Sequence, residues 1–273
     1  GAATTANQNV AIGSSALDSV TDVGACTAIG YEALENFTGT LGILGYATAI
    51  GYQAANSMTS PYSVTAIGYA VASNATTGGT ASVLIGSGAA ASLSTGGGNT
   101  CVGHESLQMC TTGYNNVAIG KSAGDALTTG SNCIIIGNTA DPSSASATNE
   151  VTLGNSSIAT LRCNTQTISS LSDARDKTDI QELPEGLDFI SKLNPVKFQW
   201  QTRDGNSKDG TYEAGFIAQE LQSAQQNVDA DYLGLVMDEN PDRLEASYGK
   251  LVPMLVKAIQ ELKSEVEQLK ANV

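Results

Sequence analysis

The chain has 273 residues, with 13 Lys and Arg against 27 Asp and Glu and a formal net charge of −14. That balance, without any cluster of basic residues, argues against nucleic-acid wrapping and against anchoring on an anionic membrane, both of which need grouped Lys or Arg. No apolar run approaches the roughly 20 residues of a membrane-spanning helix, and no basic region followed by an apolar core marks a secretion signal.

From the N-terminus the first feature is a repeat. The strings NVAIG, CTAIG, ATAIG, VTAIG, SVLIG, NTCVG, NVAIG, CIIIG and EVTLG place glycines at 13, 30, 51, 68, 86, 103, 120, 137 and 154. Their successive spacings are 17, 21, 17, 18, 17, 17, 17 and 17 residues, the period of a solenoid. Each unit combines a short β-branched run, a glycine, a small-residue stretch such as YEAL or YQAA, and a turn cluster such as TTGYNN or STGGGNT. This pattern predicts two short strands and two turns per coil. Nine coils stacked at about 4.8 Å make a rod roughly 40 Å long. Ala, Ile and Val dominate the apolar positions, so a single stack buries too little surface to stand alone. Burial of the Ile and Val row against copies of the same chain is the expected remedy.

Within the repeats, Tyr31, Tyr52 and Tyr69 share one position. They either cover coil edges, the favoured reading, or form an aromatic stripe for a glycan. His104, the sole histidine, shares that position without a nucleophile and carboxylate beside it, so a structural or solvent-facing role is expected. Glu32, Glu35 and Glu105 are isolated and form no acid–nucleophile pair for glycoside cleavage. Neither metal-ligand spacing nor a phosphate-binding loop is present, and no metal or cofactor is expected. Cys26, Cys101, Cys110, Cys133 and Cys163 are odd in number and never paired as CxxC. They read as free thiols in a reducing compartment. The AIG(Y/S)xA pattern, over about residues 9–158, resembles the left-handed β-roll head of trimeric autotransporter adhesins, a fold also found in phage tail fibres. The resemblance implies a trimer that displays a binding surface.

Charge changes abruptly further on. Residues 1–171 hold 2 Lys and Arg and 8 Asp and Glu, whereas residues 172–273 hold 11 and 19, giving −6 and −8. The second segment reads as an α+β domain. PEGLDFISKLNP predicts a helix started by Pro184 and stopped before Pro195. VKFQW alternates Val196, Phe198 and Trp200 on one face of a strand, DGNSKDG is a turn or loop, and YEAGFIAQEL returns as a strand running into a helix. Val252, Leu255, Ile259, Leu262, Val266, Leu269 and Val273 step alternately by three and four, a heptad seam with Glu265 and Lys270 at flanking positions. β-branched residues at a and Leu at d favour a dimer by themselves; the solenoid resemblance favours a trimer and is given more weight.

SSLSDARDK, LNPVKFQW, AGFIAQEL and YGKLVPMLVKAIQEL together resemble the C-terminal intramolecular chaperone of phage tailspikes, tail fibres and endosialidases, a self-cleaving module similar to one in the myelin regulatory factor of animals. The resemblance spans residues 171–273. It implies a serine–lysine dyad spaced as S-D-x-R-x-K, with Ser172 as nucleophile, Lys177 as base, Asp173 and Arg175 as organisers of the loop, and a scissile bond between Leu171 and Ser172. The chemistry is coherent: a serine hydroxyl needs a neighbour to take its proton, and a lysine does so only when neutral, a state that burial favours. From spacing alone, Ser172 reads instead as a cap on a helical turn in a charged linker.

The organisation expected is therefore a trimeric left-handed β-roll over residues 1–158, a connector over 159–171, and an α+β chaperone domain over 172–273 whose coiled-coil helix begins at about 250. The function expected is a viral tail-fibre or tailspike segment for host attachment, whose terminal domain drives trimerisation and leaves by a single-turnover cut. The alternative is an uncut receptor-binding fibre that keeps this domain as its tip. Partners expected are two further copies of the chain and a host-surface receptor, a glycan among the candidates. The place expected is the virion, after assembly in the bacterial cytoplasm.

Overall fold

The computed structural model describes residues 8–20, 24–38, 46–59, 62–76, 80–164, 168–203 and 208–272. It divides into two compact units, residues 1–158 and residues 159–273.

The first unit is a β-solenoid. Nine three-residue strands, β1 (Val10–Ile12), β2 (Thr27–Ile29), β3 (Thr48–Ile50), β4 (Thr65–Ile67), β5 (Val83–Ile85), β6 (Thr100–Val102), β7 (Val117–Ile119), β8 (Ile134–Ile136) and β9 (Val151–Leu153), form one sheet in chain order. Neighbours are parallel and in register, with Ala28 opposite Ala49 and Ala49 opposite Ala66. The alternation of strand side chains sends the middle residue inward: Ala28, Ala49, Ala66, Leu84, Cys101, Ala118 and Ile135 are buried. The flanking residues point outward and make an apolar sheet face that includes the exposed Ile12, Val83, Val102, Ile119, Ile136 and Leu153.

Among the described residues, each coil holds one strand rather than the two expected. The opposite arm does hydrogen-bond to the next coil, as from Leu17 N to Ala33 O at 3.0 Å and from Leu34 N to Ala54 O at 3.1 Å. Yet alternate residues there take left-handed conformations, Glu32 at φ 55° and Leu34 at φ 51° among them. Backbone outside the β region in every second residue keeps the ladder but loses the pleat. The glycine after each strand allows the coils to approach. At Gly51, φ is 135°, and a Cβ would stand 2.1 Å from the carbonyl oxygen of Gly68.

Between the two arms lies a thin core containing Leu34, Phe37, Met58, Leu93, Leu107 and Leu127. Buried polar groups at one corner are paired through a ladder. Asn116 Nδ2 donates to Gly130 O at 3.0 Å, its Oδ1 accepts from Cys133 N at 3.0 Å, and its backbone N–H donates to Asn99 Oδ1 at 2.9 Å. Each bond runs between coils, so the ladder binds coil to coil without leaving a donor orphaned.

The second unit contains α1 (Leu187–Ile190), the antiparallel pair β10 (Val196–Gln199) and β11 (Tyr212–Gly215), α2 (Ala218–Gln226), a short antiparallel pair β12 (Val236–Met237) and β13 (Glu245–Ala246), and α3 (Val252–Ala271). Phe189, Leu221, Ala230, Leu233, Leu235, Leu251 and Met254 form its core. The helix expected from Pro184 to Pro195 is a single turn. Its start is delayed because Glu185 turns inward to the Tyr232 hydroxyl, so Gly186 takes the capping position and α1 begins at Leu187. Residues 204–207 of the expected DGNSKDG turn, and Val273 of the heptad seam, lie outside the described residues. The strands flanking that turn pair in register, Val196 opposite Gly215. Among the described residues, no helix is long and apolar enough to cross a membrane.

Candidate functional site

The sequence SDARDK folds into a small ring of side chain–backbone bonds. Asp173 is the cap of a single 3₁₀ turn over Ala174–Asp176, its Oδ1 accepting from Arg175 N at 2.9 Å. A carboxylate at this position accepts an otherwise orphaned turn donor, which starts the turn. Asp173 is also gripped from the side by Arg175, with Nη2 to Oδ2 at 2.6 Å and Nε to Oδ1 at 3.1 Å. The Arg175 guanidinium holds the Asp173 carboxyl below the usual carboxylate range. The turn reverses the chain, Lys177 N donating to Ala174 O at 3.2 Å, and so returns the lysine to the serine. Lys177 Nζ donates to Ser172 Oγ at 2.6 Å and lies 3.4 Å from Ser172 O.

The structure thus brings Ser172, Asp173, Arg175 and Lys177 into one loop with Leu171 at its edge. Ser172 is not the cap of the turn; Asp173 takes that role. All residues from 168 to 182 are exposed, and Leu171 is 99% exposed. The loop places a serine hydroxyl against a lysine amine, and among the described residues it is open to water.

The heptad residues are all on α3. Val252, Leu255, Ile259, Leu262, Val266 and Leu269 are exposed, whereas Met254 and Ala258 on the neighbouring flank of the helix are buried. The helix therefore has one face docked and one apolar face open to water. The tyrosines at the shared repeat position form a column, Tyr31 on Tyr52 at 5.1 Å and Tyr52 on Tyr69 at 5.2 Å between ring centres, with interplanar angles of 15° and 9°. The rings spend their faces on one another and expose their edges. His104 Nδ1 lies 3.2 Å from Glu105 on the solenoid surface. Among the described residues, no group of three or more His, Cys, Asp or Glu side chains gathers in metal-binding geometry.

Three ties in the second unit had no counterpart in the sequence reading. Lys257 pairs with Glu182, Glu261 Oε2 accepts from Leu187 N at 2.7 Å, and Tyr232 donates to the buried Glu185. Their partners lie 75, 74 and 47 residues apart, beyond the reach of any local spacing.

Comparison with protein families matches residues 172–229 to the family described as chaperone of endosialidase. Over these residues the chain is similar to the chaperone of endosialidase. The match begins at Ser172 and takes in the dyad loop, α1, the β10–β11 pair and α2. Together with the β-solenoid that precedes it, this match fits a tail fibre or tailspike with a C-terminal chaperone. No curated protein and no solved structure shows significant similarity to the chain.

Proposed function

We propose that the chain is a segment of a viral tail fibre or tailspike, a homotrimer of left-handed β-rolls for host attachment, whose C-terminal domain aligns the three chains and is then released by self-cleavage between Leu171 and Ser172. The observation that carries this reading is the Lys177 Nζ to Ser172 Oγ contact of 2.6 Å at the first residue of the chaperone match. The residue that a cut would expose is the residue at which the family begins.

The chemistry follows from the loop. Lys177, once neutral, takes the proton from Ser172 Oγ, which adds to the carbonyl carbon of Leu171. Collapse of the adduct, with Lys177 returning the proton to the Ser172 nitrogen, breaks the Leu171–Ser172 amide, transfers the Leu171 acyl group to Oγ as an ester, and leaves that nitrogen as an amine. Water then hydrolyses the ester. A lysine becomes a base only where water is excluded, and the exposed loop lacks such cover until other chains supply it. Cleavage would then report assembly.

The need for a chaperone comes from the repeats. Neighbouring solenoids pairing one coil out of register still bury similar Val and Ile residues, so local contacts specify alignment weakly. The family implies trimeric assembly, and three α3 seams brought together would give the chains a common starting point. Removal of the folding domain leaves a product protected by its unfolding barrier. Attachment to a host-surface receptor, a glycan among the candidates, and residence in the virion are part of the same proposal.

Intact mass of freshly made protein tests it. A chain near 27.9 kDa in a sedimenting trimer means the domain is retained as a tip. Fragments of 171 and 102 residues, absent from Ser172→Ala and Lys177→Ala chains, are the result expected.

A further inference from the structure

The docked face of α3 holds the segment that follows Lys177. Lys257 Nζ pairs with the Glu182 carboxylate and lies 3.7 Å from Glu261. One turn on, Glu261 Oε2 accepts the Leu187 N–H at 2.7 Å, and the approach is so close that a Cβ on Gly186 would stand 2.1 Å from that oxygen. Glu185, between these two anchors, is 8% exposed and bound by Tyr232. Upstream of them everything back to residue 168 is exposed. Among the described residues, Glu182 is the first position beyond Lys177 that a side chain of another element holds. The five-residue span from Lys177 to Glu182 reaches at most about 17 Å.

Lys257 and Glu261 also lie within the length of the open seam, between Leu255 and Leu262. A three-heptad helix without partners is marginal and its far turns open readily. Its pairing with other copies would hold the same turns that carry the two anchors.

We propose that Lys257 and Glu261 are positioning residues that transmit pairing of the C-terminal helices to the Ser172–Lys177 loop. This rests on the self-cleavage reading above. Pairing stills the anchor, the anchor limits where Lys177 can travel, and the dyad spends more time at contact distance. The Lys257 ammonium draws the Glu182 carboxyl below its ordinary range and is itself raised by the pair, so both stay charged near neutrality.

The test uses the full-length chain and two readouts. Lys257→Met and Glu182→Gln should remain trimeric by sedimentation yet cut at least about tenfold more slowly, since a misplacement of about 1 Å can cost about 100-fold. Lys257→Arg should restore the rate. Wild-type rates in the Lys257→Met and Glu182→Gln trimers overturn the proposal. The second readout is deuterium exchange at amides 173–181 in a Ser172→Ala background, where no cut occurs. Lys257→Met should speed that exchange with the trimer intact, and unchanged exchange overturns the proposal. If the wild-type trimer stays whole, the self-cleavage reading fails, and the exchange comparison decides the tether on its own.

Discussion

Lys177 Nζ stands 2.6 Å from Ser172 Oγ across a single capped turn. The contact is local, five residues apart in the chain, across the turn that Asp173 starts. In the proposed self-cleavage this pairing makes Lys177 the group that takes the Ser172 proton, with timing left to whatever covers the loop.

Replacement of Lys177 by Arg should therefore stop cleavage. An arginine supplies the same donor to Ser172 but cannot be deprotonated in a protein. Intact-mass measurement of the trimer should find the uncut chain alone. Cutting at the wild-type rate would remove Lys177 from the role of base.

A charge in the open seam should prevent assembly. Ile259→Asp together with Leu262→Asp places two carboxylates on the exposed apolar face of α3 and touches none of the docked residues. Sedimentation should give monomers or insoluble repeats, and an undiminished trimer would show that the seam is not the interface.

The thiols should separate sharply. Cys26, Cys101, Cys110 and Cys133 are buried and Cys163 is exposed, and burial pushes the buried thiols up. The thiolate is the reactive form, so a maleimide at neutral pH should label one cysteine per native chain, at Cys163, and all five after denaturation. Rapid labelling of Cys101 in the native chain would contradict the closed core.

Asn116→Ala should destabilise the solenoid. It strips the buried Cys133 N–H and Gly130 carbonyl of their partners at once, and each orphaned group costs about 1–3 kcal/mol. A lowered denaturation midpoint is expected; an unchanged one would mean that water replaces the amide.

Gly51→Ala should do more harm than its one carbon suggests. Its Cβ would lie 2.1 Å from the Gly68 carbonyl oxygen at a φ of 135°. A backbone clash with such strain costs about 3 kcal/mol or more. Thermal unfolding within error of wild type would mean that the coils can separate locally.

Periodicity made the solenoid readable: a glycine every 17 residues named the coil, and the β-branched triplets named its strand. The other arm was misread because the left-handed residues Glu32 and Leu34 are not glycines. Their conformation is imposed by the ladder between coils, which outweighs local preference. At the dyad, Ser172 and Lys177 were legible because their partners lie within one turn. The anchors at Glu182 and Leu187 were not, since Lys257 and Glu261 reach them across 75 and 74 residues. Local spacing carries no trace of such pairs.

The glycine column has a consequence for how such a chain changes over generations. From Gly13 to Gly120 each coil presents its neighbour with the same close approach of glycine to carbonyl, so a whole coil can be duplicated or lost there and the stack closes again on equal terms. A single residue added inside a strand would instead throw the later side chains of that strand onto the wrong face. Reach is thus the property that heredity can adjust in steps, one coil at a time, without redesign of anything on either side.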